Sequence, residues 1–129
     1  MNTKLLMTIS ALVMGMTGLA LSFFTQEIAG GLGMNEASAI VLQVLGALYF
    51  GFAMLNWMAK ANLIGGIYSR PVAIGNMAHF VIGALALAKL AVKDPSLSYI
   101  GAAALVYSVF AILFGYVFYT TPALSPKAN

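Results

Sequence analysis

Four long apolar stretches constrain this chain more than anything else in it. They run approximately from Leu5 to Phe24, Ala39 to Ala59, Pro71 to Leu90 and Ser98 to Tyr119, nearly free of charge, with Lys89 at the edge of the third. Each is close to the ~20 residues that cross a hydrocarbon core about 30 Å thick at a rise of ~1.5 Å per residue. Lipid offers no partner to a bare N–H or C=O, so only helices or a closed barrel can span it. Barrel strands show alternating polarity over about ten residues. The runs here are continuous, and the expectation is all-α: an integral membrane four-helix bundle, antiparallel, up-down-up-down.

Composition agrees. Of 129 residues 62% are hydrophobic and 7% charged, against roughly 25% charged in soluble domains. The polar connections are no longer than about fifteen residues, too short for a separate soluble domain. Residues 1–129 therefore read as a single domain, with 120–129 as a short polar tail. The first stretch carries Lys4 and a small-x-small triplet at Gly18, Leu19 and Ala20, features shared with signal peptides. It exceeds the 7 to 15 apolar residues of a signal peptide and reads as the first span.

Several functions are excluded or disfavoured. With no cysteine there is no disulfide, thiolate metal site, iron–sulfur cluster or thiol catalysis. One histidine cannot form a bis-histidine haem site. The net charge of +3 comes from six basic residues scattered over several loops, which form no stripe for nucleic acid. Met7 and Met14 share a heptad face but lack a His or Cys companion, and read as packing residues rather than a soft-metal path. No catalytic motif is present, no cofactor is implied by the residues, and the chain reads as non-enzymatic.

Local signals place the helix ends. Gly30, Gly31 and Gly33 in "TQEIAGGLGMNEASA" should break the chain into a turn, with Asn35 capping the second span. Ser69 is placed to cap the third span, with Pro71 in its first turn. Asp94 and Pro95 turn the chain, and Ser96 is placed to cap the fourth. Trp57, Tyr68, Tyr99 and Tyr119 fall at predicted boundaries, where aromatic belts form. Small residues in every span mark helix contacts; among them Ala47 and Gly51 form a small-xxx-small step.

Basic residues orient the spans. Lys4, Lys60, Arg70 and Lys127 fall on the side of the termini, against Lys89 and Lys93 on the other, where Glu27 and Glu36 also lie. Both termini are expected in the cytoplasm.

The leading polar residues within the spans then fall in the cytoplasmic half of the membrane, while Gln43 and Ser22 form a second, weaker polar group near the outer face. Counting from the cytoplasmic ends, Asn56 and Tyr116 lie about 4 to 5 Å deep, Ser10 and Asn76 about 7 to 8 Å, and His79 about 12 Å, with Tyr107 deeper still. Two readings stand. In one, Asn56 and Asn76 bridge helices and a neutral His79 is satisfied by a neighbour, as polar residues do in membrane bundles. In the other, His79 sits in a pocket as ligand donor or proton acceptor, its ordinary pKa near 6.5 allowing it to titrate.

"LGALYFGFAMLNWMAK" at residues 45–60, followed by "GGIYSRPVAIGNMAHFVIGALAL" at residues 65–87, resembles the DoxX-like group of small four-helix bacterial membrane proteins; "MGMTGLALSFFTQEIAGGLGM" fits the same layout. That resemblance implies a compact bundle in the bacterial inner membrane, in some relatives linked to oxidoreductase complexes and quinone chemistry. Membrane lipids, a membrane-protein partner or a second copy are then the expected company. On the pocket reading, His79, Asn76, Asn56, Ser10, Tyr116 and Tyr107 would line a site for a small amphipathic molecule such as a quinone or lipid. The small multidrug exporter layout is not met, because residues 5–24 contain no carboxylate.

Overall fold

The computed structural model describes residues 2–61 and 69–120. Tyr68, Lys127 and the tail beyond Thr120 lie outside the described residues, as does most of the second loop. The described residues are all-helical, without a strand: α1 (Thr3–Phe23), α2 (Thr25–Gly31), α3 (Glu36–Ala59), α4 (Arg70–Lys93) and α5 (Ser98–Tyr119). Four of the five, α1, α3, α4 and α5, are long and apolar enough to cross a membrane. The chain divides into two compact units, Met1–Ala61 and Asn62–Asn129.

In the first unit α1 packs along α3. Ser10 meets Asn56, Gly15 approaches Ala53, Gly18 approaches Phe50, and Ser22 approaches Gly46. Rising numbers on one helix meet falling numbers on the other, so the pair is antiparallel. The buried stripe of α1, Leu6, Met7, Ser10, Ala11, Met14 and Gly18, recurs every three or four residues as one helical face must. Near Gly18 the backbones nearly touch: a Cβ there would stand 2.7 Å from the Phe50 nitrogen and 2.8 Å from the Gly46 oxygen. Gly46 is equally confined, with Ser22 Oγ 2.6 Å from its virtual Cβ.

The first loop departs from the expected turn. Thr25 to Gly31 form a short helix, and Gly30 and Gly31 lie inside it rather than breaking it. Two inward residues, Thr25 and Ala29, are buried, and α2 packs against α3, which outweighs the poor helix propensity of glycine. Only Gly33 ends the helix, with φ +66°. The amide of Gly33 donates to Gly30 O and that of Met34 to Ala29 O, the paired bonds of a Schellman motif around a left-handed glycine. Asn35 then caps α3 as expected, its Oδ1 accepting from the Ser38 amide at 2.8 Å. At the bend between α1 and α2, the Thr25 hydroxyl donates to Leu21 O at 2.5 Å and lies 3.2 Å from Ser22 O.

The second unit pairs α4 with α5. Met77 lies near Gly115, Phe80 stacks on Phe110 and Phe114, and His79 meets Tyr107, an antiparallel register again. Phe80, Phe110 and Phe114 form its core, with ring centroids 4.7 Å apart for Phe80–Phe110 and 5.7 Å for Phe80–Phe114.

Two caps differ from expectation. Ser69 occupies the N-cap of α4 without a side-chain cap bond, its backbone at φ −102°, ψ −5° rather than in the extended region that aims a capping oxygen at the helix. Ser96 does not cap α5, whose N-cap is Leu97. Ser96 lies one residue ahead of the cap position, and its hydroxyl donates back to Asp94 Oδ1 at 2.5 Å. Asn2, unanticipated from the sequence, caps α1 by accepting from the Leu5 amide at 3.1 Å.

Candidate functional site

Six residues were singled out by the sequence, and each unit brings some of them together. In the first, Ser10 and Asn56 are both 0% exposed. The antiparallel register sets them opposite one another. Asn56 Nδ2 donates to Ser10 Oγ at 3.1 Å, and the Ser10 hydroxyl donates in turn to Met7 O, one turn back on its own helix, at 3.1 Å. Serine thus acts as acceptor across the interface and donor along it, the dual capacity of a hydroxyl.

Met14 completes this cluster, its sulfur lying 3.8 Å from Asn56 Nδ2 as a weak acceptor. Met7 and Met14 are both fully buried, one turn to either side of Ser10. They pack around the polar pair instead of facing outward. Their heptad spacing was the available signal, but it does not distinguish an inward from an outward face.

In the second unit Asn76 is 0% exposed, and its Nδ2 donates to Val72 O on its own helix at 2.9 Å. His79 and Tyr107 are half-buried. Their side chains meet across the α4–α5 interface, with Tyr107 Oη 3.3 Å from His79 Nε2. Gly83, one turn along α4 from His79, provides the space: a Cβ there would collide with the Tyr107 ring. Phe80 closes the other side, its ring 5.0 Å from the imidazole and 5.2 Å from the phenol, both edge-on. The sequence reading missed Gly83 as the seat of Tyr107 and the phenylalanine stack beneath it.

Tyr116 does not share in this burial. It is 56% exposed on α5, while the next residue, Val117, takes the inward position. Ser108 is also turned to its own helix, its hydroxyl donating to Ala104 O at 2.8 Å.

Chemically these groups are hydrogen-bond donors and acceptors without a fixed charge. Among the described residues no group of three or more His, Asp and Glu side chains is placed to hold a metal. Every buried side-chain nitrogen or oxygen among them has a hydrogen-bond partner. An open apolar groove of about 630 Å³ lies on the first unit, lined by Met16, Leu19, Ala20, Phe23 and Phe24; none of the six candidate residues lines it.

Compared with known protein families, curated proteins and solved structures, the chain matches none of them. The functional reading accordingly rests on the chemistry of its own residues.

Proposed function

We propose that this is a non-enzymatic integral membrane protein, an accessory or assembly component of the bacterial inner membrane, whose buried polar side chains hold its helices in register. The four long helices span the bilayer up-down-up-down as one bundle with both termini in the cytoplasm. One observation carries the reading: the buried polar atoms of the described residues are satisfied within the protein, and Asn56 spends its amide on Ser10 of a neighbouring helix. A site built to seize a ligand would hold such donors in reserve. The proposal extends to a DoxX-like layout of that bundle.

A second reading keeps a small amphipathic molecule, a quinone or a lipid, beside His79. It is favoured by the half-burial of His79 and Tyr107, which leaves part of each side chain at a face that such a molecule can approach.

The two part on one comparison. On the structural reading His79→Gln leaves both the fold and the set of bound molecules unchanged, whereas Asn56→Ala lowers thermal stability in detergent. Loss of a co-purifying molecule from a folded His79→Gln protein would establish the second reading instead.

A further inference from the structure

The first unit is electrically polarised along its length. From the paired Ser10 and Asn56, Lys4 lies six residues back along α1 and Lys60 four residues forward along α3, about 9 and 6 Å toward the same end. Both lysines therefore emerge at nearly one height. The acids of this unit, Glu27 in α2 and Glu36 at the start of α3, occupy the opposite end.

Trp57 stands one turn inside Lys60 and is 45% exposed. The Lys60 ammonium lies over its indole ring, 2.8 Å from the centroid. Indole prefers the boundary between hydrocarbon and headgroups, and a cation is attracted to its face. Trp57 thereby fixes the depth of the Lys60 charge at the headgroup level, while Lys4 is exposed within the first turn of α1.

From this arrangement we infer that the Lys4–Lys60–Trp57 end of the α1–α3 hairpin is a docking surface for anionic phospholipid headgroups. It rests on the membrane reading above. The complementarity is specific in sign: two ammonium groups face the lipid phosphates without a carboxylate of their own unit at that end. A zwitterionic headgroup brings its own cation and gains less.

The full-length protein is reconstituted into vesicles of equal phosphatidylglycerol and phosphatidylcholine, extracted gently, and its retained lipid counted by native mass spectrometry. Retention favours phosphatidylglycerol, and the preference falls about fivefold for each of Lys4→Gln and Lys60→Gln, in line with the electrostatic attraction of one juxtamembrane lysine. Lys60→Arg keeps the preference, and Lys89→Gln with Lys93→Gln leaves it unaltered. Equal retention of the two lipids overturns the inference, as does an unchanged preference in the Lys4→Gln, Lys60→Gln double variant or an equal fall on replacing Lys89 and Lys93. A protein that inserts normally yet shows no preference defeats this inference alone. One that never enters the vesicles defeats the membrane reading with it.

Discussion

Asn56 and Ser10 show how a polar residue can be tolerated within an apolar helix pair. Each is fully buried, and the bond between them joins α1 to α3. Hydrogen bonds between membrane helices average only ~0.6 kcal/mol and reach ~1.7 kcal/mol, because the separated helices also find partners. A double-mutant cycle of Ser10→Ala and Asn56→Ala, read from unfolding in detergent, should give a coupling energy of about that size. A coupling of zero would mean that the contact contributes nothing to the pairing. His79 differs from Asn56 in being half-buried, and its bond to Tyr107 is long at 3.3 Å. Tyr107→Phe should accordingly cost no more than ~1 kcal/mol, and a loss several times larger would show that the hydroxyl anchors more than this bond.

At the level of the elements, glycines of similar appearance have opposite roles. Gly18 and Gly46 sit where the α1 and α3 backbones meet, while nothing lies within 4 Å of a Cβ built on Gly51. Gly46→Ala should destabilise the hairpin by about 1 to 3 kcal/mol, the range for overfilling a packed contact. Gly51→Ala should be neutral or slightly stabilising, since alanine is the better helix former. Thermal unfolding of the two variants in the same detergent checks the contrast; equal effects would contradict the packing. The sequence marks all three glycines alike because composition records size and not direction. It does locate the long helices to within a few residues, since uncharged length alone defines a span. The seven-residue α2 escaped it because Gly30 and Gly31 argue locally for a turn, whereas burial of Thr25 and Ala29 decides the matter in three dimensions. Ser96 departs from its expected role for a related reason: the backbone puts Leu97 at the N-cap of α5, one residue beyond the serine.

For the whole molecule, the sequence makes the polar positions visible but not their partners. His79 and Tyr107 are 28 residues apart, and only the α4–α5 register, with Gly83 as the seat of the phenol, brings them together. The proposed orientation in the membrane rests on charge. Because the chain has no cysteine, single cysteines report it cleanly. Ala37→Cys, at the start of α3, should react with a membrane-impermeant maleimide on intact cells, and Ala61→Cys only after lysis; the reverse pattern would invert the proposed topology. The central claim, that the buried polar residues serve the fold rather than a ligand, is tested most directly by native mass spectrometry of the gently extracted protein beside its His79→Gln variant. The account predicts that both carry phospholipid alone, in the same amounts. A stoichiometric non-lipid molecule bound to the parent protein and missing from the variant would contradict it.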